Sequence, residues 1–438
     1  MSRNKPSKPV YTMNATTSFA RKLLLGKSDT FCLVPWIHIH STPTGVAAPC
    51  CIASSCATTD GVGSARDQTV MELVNSEKMK QLRLDMLTGK KNSECTNCYK
   101  HEEQGISSFR TQTNESFSHA FDDVIENTVL EDGSLIKFKM RYFDIRFSNI
   151  CNFKCRTCGS GFSSQWEQED LKNNAWNAKV HLKNNNKDFL QGVIDQIDNM
   201  EIAYFAGGEP LITEEHYILL EEMIKRNRHD IILRYNTNLS NLKFKNKDLL
   251  GLWKHFKNRI QVYASIDHFG KRAEYIRHGT EWDTIQENYL TLKNSSFIRP
   301  QINTVLSVFN ILTIHEFYKH LIDTKMYEPS DSVNTLYNMS SPTELACHIL
   351  PPDLKEQGID SIRRAIKLMR VRGFKDNQIA QLEQTEQWVN SKNTWDQHKM
   401  PFRSEIKRLD KIRGEDFMAT FPEIASLYKV DQNKMWPV

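Results

Sequence analysis

The 438-residue sequence predicts an α/β protein whose core is a partial (β/α)6 barrel. Short apolar segments alternate with amphipathic helical segments between residues 139 and 340, which is typical of parallel strands joined by helices. We count five or six such units, too few for a closed eight-stranded barrel. Polar residues follow several of the strands, where parallel α/β folds build their active sites.

We predict five segments along the chain. They are a basic, mostly disordered arm at residues 1–27, a small cysteine-rich hairpin and helix module at 28–110, a connector at 111–138, the barrel core at 139–340, and a helical region at 341–438.

Composition limits the class of protein. The sequence contains no run of 18 apolar residues, so it predicts no membrane span. A net charge of +4 does not indicate nucleic-acid binding. The basic arm lacks an apolar core long enough for a signal peptide. Because cysteines that hold metal clusters need a reducing compartment, we expect the protein in the cytoplasm.

The elements of the core are predicted in order. Alternating helices are expected at residues 214–228, 283–293 and 314–323. The strands are expected at residues 142–147, 203–205, 231–235, 261–267, 301–310 and 333–337.

Three cysteines directly follow the first core strand. Cys151, Cys155 and Cys158 have the spacing Cys-x3-Cys-x2-Cys. Three thiolates can hold three corners of a four-iron, four-sulfur cube that normally takes four, which leaves one iron open to a small molecule. A structural zinc site that lacks one ligand is the alternative.

A second motif ends the next strand. It consists of Gly207, Gly208, Glu209 and Pro210. Glycines at the carboxyl end of a strand allow the backbone to approach a ligand closely and permit positive φ, and a proline fixes the turn that follows.

These motifs resemble the radical S-adenosylmethionine (radical SAM) superfamily. The resemblance implies that the three cysteines hold a [4Fe-4S] cluster that binds S-adenosylmethionine, and that the Gly207–Pro210 element gathers its amino group. It further implies that Ser265 and Asp267 contact ribose, and that the strand carrying Asn303 and Asn310 packs against adenine and methionine.

The cysteine-rich module is predicted to begin with a hairpin. Its strands are expected at residues 31–40 and 46–51, joined by a turn at residues 42–45. A helix follows, with Ser76 as N-cap, Gly89 as the stop, and a buried face formed by Met79, Leu82 and Met86.

Cys32, Cys50, Cys95 and Cys98 in this module resemble a twitch domain, the short form of the SPASM module. The resemblance implies one auxiliary iron–sulfur cluster, which we expect to be a [4Fe-4S] cluster. The module that would hold it precedes the core in this sequence, whereas twitch modules usually follow the core. A closed four-thiolate zinc site is the alternative. We favour Cys50 over Cys51 as ligand because adjacent strand residues point to opposite faces.

Three cysteines and two histidines are given no role in either site. Cys51, Cys56 and Cys347 are too few for a second auxiliary cluster, and Cys347 is expected to be buried as a small hydrophobe. His38 and His40 are expected in packing or at the surface.

The C-terminal region is predicted to be helical. One apolar stripe contains Ile359, Ile362, Ile366 and Met369, and residues 417–424 carry another. We expect this region to close the barrel mouth or to hold substrate.

The resemblance implies a function. S-adenosylmethionine is cleaved reductively to a 5′-deoxyadenosyl radical, which removes hydrogen from a substrate, here expected to be a peptide or protein. Anaerobic oxidation of a small-molecule alcohol or sugar is the alternative, and a zinc-stabilised scaffold or binding protein is an alternative of another class. An electron donor such as flavodoxin or ferredoxin is the implied partner.

Overall fold

A computed structural model describes residue 21 and residues 23–57, 61–175 and 186–428. Residues 1–20 and residue 22 of the predicted basic arm lie outside these residues, whereas residues 23–26, predicted to belong to a mostly disordered arm, are helical. The chain divides into two compact units. The first unit comprises residues 1–148, 182–207 and 219–231, and the second comprises residues 149–181, 208–218 and 232–438.

The described residues form strands and helices in the following order. The strands are β1 (His40–Ser41), β2 (Val46–Ala48), β3 (Gly63–Ser64), β4 (Tyr142–Ile145), β5 (Lys154–Cys155), β6 (Ile202–Phe205), β7 (Ile232–Thr237), β8 (Lys243–Phe244), β9 (Lys247–Asp248), β10 (Ile260–Ser265), β11 (Arg277–His278), β12 (Gln301–Leu306) and β13 (Thr335–Asn338). The helices are α1 (Val34–Ile37), α2 (Val70–Val74), α3 (Glu77–Leu87), α4 (Thr96–Glu103), α5 (Phe109–Ser116), α6 (Phe121–Glu126), α7 (Ser164–Lys172), α8 (Lys187–Ile194), α9 (Glu214–Lys225), α10 (Leu249–Trp253), α11 (Gly270–Ile276), α12 (Trp282–Lys293), α13 (Ile314–Asp323), α14 (Pro352–Val371), α15 (Asp376–Val389), α16 (Trp395–Arg413) and α17 (Phe417–Thr420).

In the first unit, the hairpin of the cysteine-rich module extends a parallel sheet. The strand order is β6-β4-β1-β2-β3. Strand β4 pairs in parallel with β6 and with β1, where His40 lies opposite Asp144. Strand β2 is antiparallel to β1 and to β3. The hairpin and the core strand β4 thus share one sheet, which the segment boundaries predicted from sequence did not anticipate.

The predicted strand at residues 31–40 is wrong. Only His40 and Ser41 form a strand here, and Val34–Ile37 forms the short helix α1. Pro35 lies in the first turn of that helix, where its fixed φ suits a helix and its missing N–H costs nothing. A short, fully buried apolar run gives no periodicity by which to tell a helix from a strand.

The predicted helix of the module is confirmed as α3. Ser76 is its N-cap residue, and Met79, Leu82 and Met86 are buried. Gly89, two residues after the helix, has a φ of +76°, a conformation that favours glycine.

In the second unit, four parallel strands form a sheet in the order β7-β10-β12-β13. The strand predicted at residues 301–310 ends earlier, at Leu306. The chain turns there because the Asn310 side chain accepts a hydrogen bond from Ser307 N at 2.8 Å. Helix α13 has the predicted bounds. The predicted α/β class with parallel strands is therefore confirmed.

The C-terminal region of the second unit is helical, in helices α14 to α17. Ile359, Ile362 and Met369 are buried along α14, and Phe417 and Phe421 are buried after α16. Among the described residues, no helix combines the length and apolar character needed to cross a bilayer.

Candidate functional site

The three-cysteine loop of the second unit is fixed by backbone contacts. Strand β5 pairs with β11 so that Cys155 lies opposite Arg277. The Cys158 amide donates to the Cys155 carbonyl at 3.0 Å, and the Phe153 amide donates to Cys151 Sγ at 3.5 Å. Cys155 is buried, Cys151 is half-buried and Cys158 is exposed.

The environment of these thiols suits a metal cluster. Burial raises the pKa of Cys151, and the neighbouring Cys155 raises it further. Burial also raises the pKa of Cys155, while the nearby Arg277 lowers it. Several thiols that are neutral without metal and lie close together become thiolates when iron displaces their protons, so the residues present fit the implied cluster.

Arg277 is a site residue that sequence reasoning missed. Its Nη1 lies 3.8 Å from Cys155 Sγ, and its Nε lies 2.8 Å from Asp267 Oδ2. The other carboxylate oxygen of Asp267 accepts a hydrogen bond from Val305 N at 2.8 Å. Asp267, predicted to contact ribose, thus holds Arg277 beside the Cys155 thiol. Only the pairing of β5 with β11 reveals this neighbourhood, and the sequence gives no signal of that pairing.

The Gly-Gly-Glu-Pro element requires glycine for two reasons. Gly207 has a φ of +127°, which side-chain-bearing residues rarely adopt. A Cβ atom on Gly208 would lie 2.0 Å from the Ile150 carbonyl oxygen. The Glu209 amide donates to that same oxygen at 2.7 Å. The backbone at 208–209 therefore packs directly against the residue that precedes Cys151.

The Glu209 carboxylate is held by three donors. It accepts hydrogen bonds from Thr237 Oγ1 at 2.6 Å, Asn238 N at 2.6 Å and Leu211 N at 3.0 Å. Burial raises the pKa of Glu209 to about 7, although these donors oppose the rise. The carboxylate thus joins the end of β7 to the Gly-Gly-Glu-Pro turn.

The remaining predicted cofactor contacts lie around β10 and β12. Ser265 and Asn303 are direct partners across these strands. The Asn303 side-chain oxygen is buried and has no hydrogen-bond partner among the described residues, so it can accept from a ligand. Asn310 donates to the backbone carbonyls of Asp267 and Val305, at 3.0 and 2.9 Å. Asn310 therefore joins the strand ends, and its contact with the cofactor stays a prediction.

The four predicted auxiliary ligands meet in the first unit. Burial raises the pKa of Cys32, and Cys95 and Cys98 raise it further. Burial also raises the pKa of Cys50, with contributions from Cys51, Cys32 and Cys95. Burial and then Cys98 raise the pKa of Cys95 to about 12. The four thiols are therefore electrostatic neighbours.

Within the described ranges, no three histidine, cysteine or acidic side chains are placed to hold a single metal ion. The thiols of a four-iron cube need no such convergence, because each binds a different iron.

Cys50 and Cys51 face different surroundings. They lie in a bend after β2, so the strand alternation that we invoked to separate them is wrong. Burial, together with Asp144 and Cys56, raises the pKa of Cys51 to about 12, although Arg146 opposes the rise. Besides each other, the Cys51 thiol has Asp144, Arg146 and Cys56 as neighbours, whereas that of Cys50 has Cys32 and Cys95.

His38, His40 and Cys347 are buried. His38 and His40 each place Nδ1 2.8 Å from a backbone oxygen of β4, those of Tyr142 and Asp144. Cys347 is fully buried.

A protein-family model described as SPASM, an iron–sulfur cluster-binding domain, matches residues 32–99. This range contains all four of the predicted auxiliary ligands, Cys32, Cys50, Cys95 and Cys98. Comparison with curated proteins gives no match.

Two solved structures illustrate the structural likeness. One is native anSMEcpe with bound AdoMet and Cp18Cys peptide, with 14% identity, a TM-score of 0.35, and coverage of 51% of this chain and 57% of that chain. The other is Streptococcus suis SuiB bound to S-adenosylmethionine, with 14% identity, a TM-score of 0.37, and coverage of 68% and 64%. The match spans less than two thirds of either protein. The SPASM match confirms the predicted resemblance of the cysteine-rich module to a SPASM-type iron–sulfur cluster-binding domain.

Proposed function

We propose that the protein is a radical SAM enzyme that cleaves S-adenosylmethionine reductively and removes a hydrogen atom from a substrate. The observation that carries this proposal is the contact between the Gly-Gly-Glu-Pro turn and the three-cysteine loop, in which Gly208 and Glu209 pack on the Ile150 carbonyl. A cluster held by three cysteines keeps one iron open, and that iron needs a cofactor-binding backbone next to it.

The residues of the second unit have separable roles in this proposal. Cys151, Cys155 and Cys158 would hold the cluster, which when bound supplies the electron that splits the carbon–sulfur bond. The close-packed backbone at Gly208 would bind the amino group of S-adenosylmethionine. Asn303 would offer its buried side-chain oxygen to the same molecule.

The first unit would hold the auxiliary cluster. We propose Cys32, Cys50, Cys95 and Cys98 as its ligands, supported by the mutual effect of these thiols on their pKa values. Four thiolates close a cluster, so this one would accept an electron from the substrate or stabilise the fold. We also propose that residues 139–340 form the partial (β/α)6 barrel predicted from the sequence.

The substrate class in this proposal is a peptide or protein. It is supported by the SPASM-type domain at residues 32–99, since the resemblance associates such domains with peptide and protein modification. A flavodoxin or ferredoxin would deliver the electron in the cell.

The test is release of 5′-deoxyadenosine. Protein reconstituted anaerobically with iron and sulfide, then reduced with dithionite, should form 5′-deoxyadenosine from S-adenosylmethionine. The variant with Cys151, Cys155 and Cys158 changed to alanine should form none. Fully reconstituted protein that releases no 5′-deoxyadenosine would contradict the proposal, and stoichiometric zinc with little iron would favour the scaffold alternative.

A further inference from the structure

We propose that the C-terminal segment of residues 395–427, here called the clasp, positions the three-cysteine loop. This inference rests on the proposed function, because it concerns how the loop presents its cluster. It gives the C-terminal region a role other than closing the barrel mouth or holding substrate.

The first contact of the clasp is with Arg156, which lies between two of the cluster cysteines. The Arg156 side chain is 1% exposed, and its Nη2 lies 2.6 Å from Asp410 Oδ1 and 2.5 Å from Glu415 Oε2. Its guanidinium lies 3.7 Å from the centre of the Tyr275 ring. The Tyr275 hydroxyl donates to Asp410 at 2.7 Å. Two acids of the clasp therefore neutralise a buried cation of the loop.

The second contact joins the clasp to the other side of Cys155. Glu169 of helix α7 lies 2.6 Å from Lys154 Nζ and 2.8 Å from Arg413 Nη2 of the clasp. The side chains of Glu169 and Arg413 are 4% and 1% exposed. Trp166, also on α7, donates to the Cys155 carbonyl at 2.8 Å, and the Arg413 guanidinium lies 4.6 Å from the centre of its ring.

Burial makes these contacts mutually dependent. Removing one partner of a buried ion pair leaves an uncompensated charge away from water, which is strongly unfavourable. Without Asp410 and Glu415, Arg156 would have to move towards water, and Cys155 would move with it because the two are neighbours in the chain. The clasp thus fixes the position of a cluster ligand through the residues beside it.

The inference is tested with the double variant Asp410→Asn, Glu415→Gln in the full chain. These changes keep side-chain size and remove both acids that face Arg156. After anaerobic reconstitution, iron should fall from about eight to about four atoms per chain, the auxiliary cluster being retained. The electron paramagnetic resonance signal that S-adenosylmethionine perturbs should disappear with the lost iron.

Two further variants keep the test specific. Glu423→Gln is the matched control, because Glu423 also lies in the clasp and pairs with Arg272 at 2.7 and 3.0 Å, remote in sequence from the cysteine loop. It should keep both clusters. Arg156→Gln, which removes the buried charge, should lose the electron paramagnetic resonance signal that responds to S-adenosylmethionine. Arg156→Lys, which preserves that charge, should keep it.

The outcomes separate the two proposals. Full iron and an unchanged response to S-adenosylmethionine in the double variant would overturn the clasp inference while leaving the enzyme proposal intact. Equal loss of iron in Glu423→Gln would also overturn it, since the effect would not depend on Arg156. If S-adenosylmethionine left the electron paramagnetic resonance spectrum of the wild-type protein unchanged, the proposed function itself would be contradicted.

Discussion

The two cysteine sites are built in opposite ways. The three-thiol site lies within one loop, residues 151–158, and its ligands are close in sequence. The four-thiol site takes one cysteine before helix α1, one after the β1–β2 hairpin, and a pair at the start of helix α4. The local site has its three thiols within one short segment of chain, whereas the dispersed site brings its thiols together only through the surrounding fold.

The surroundings of the two sites also differ. In the second unit, an arginine lies 3.8 Å from the Cys155 thiol, and a turn with two glycines packs on the loop. In the first unit, the Cys32 thiol is affected by Cys95 and Cys98, which raise its pKa, and by Arg110, which lowers it. A site with three thiols and a glycine turn packed on its loop is suited to binding a molecule, whereas a closed site of four thiols is suited to holding its cluster.

The largest effect is expected from removing the three-thiol site. Changing Cys151, Cys155 and Cys158 to alanine should abolish 5′-deoxyadenosine formation and remove about four irons per chain. The remaining iron should be insensitive to S-adenosylmethionine, as measured by iron analysis and electron paramagnetic resonance. If S-adenosylmethionine still perturbed the spectrum of this variant, the four-thiol site would be the one that binds it.

The reciprocal change should separate the sites further. Cys95→Ala with Cys98→Ala should also remove about four irons, yet the spectrum of the remaining cluster should still respond to S-adenosylmethionine. Cleavage without substrate can continue, because the loop of the second unit is unaltered. A double variant with full iron content would contradict the auxiliary assignment.

A matched pair of adjacent cysteines sharpens the four-thiol site. Cys50→Ala should lower the auxiliary iron, because the Cys50 thiol neighbours Cys32 and Cys95. Cys51→Ala should keep the iron content of the wild type, because the Cys51 thiol neighbours Asp144 and Arg146. Iron analysis of the two purified proteins measures the difference, and the reverse result would exchange their roles.

The glycine of the cofactor turn should affect binding without affecting iron. Gly208→Ala would place a Cβ 2.0 Å from the Ile150 oxygen, so the turn must shift away from the loop. We expect S-adenosylmethionine to bind at least about tenfold more weakly, or about 1.4 kcal/mol, as measured by equilibrium dialysis. Gly159→Ala is the control, since its Cβ would meet nothing within 4 Å. Equal binding by both variants would remove Gly208 from the cofactor site.

Local signals in the sequence predicted much of this molecule. The core strands and helices were found because their alternation and helical periodicity are local properties, and helix α13 has the predicted bounds. The three-cysteine motif was identified from its spacing and from its place directly after a predicted strand. The segment at residues 31–40 was assigned wrongly because a buried apolar run carries no period, and Pro35 was not given weight as a helix-starting residue.

What the sequence could not predict depends on pairing between distant residues. The clasp joins Arg156 to Asp410 and Glu415, more than two hundred residues away. The parallel pairing of β1 with β4 is similarly non-local. Such contacts follow from tertiary packing, and no spacing or composition within either segment specifies the partner.

The smallest predicted effect concerns Arg277, which distinguishes the electrostatics of the two sites. A cation that donates to a cluster sulfur stabilises the reduced, more negative state, so Arg277→Gln should make the reduction potential of that cluster more negative. We expect a shift on the order of 59 mV, a tenfold change in the one-electron equilibrium.

Because Arg277→Gln alone leaves the buried Asp267 without its ion-pair partner, the double variant Asp267→Asn, Arg277→Gln is measured beside it. Redox titration followed by electron paramagnetic resonance gives the potentials of both clusters in one sample, and the auxiliary cluster serves as the internal reference. The double variant should shift less than Arg277→Gln, since it removes a negative charge together with the positive one. Unchanged potentials in both variants would show that the guanidinium is not coupled to the cluster, and the contrast between the two sites would then rest on ligand number alone.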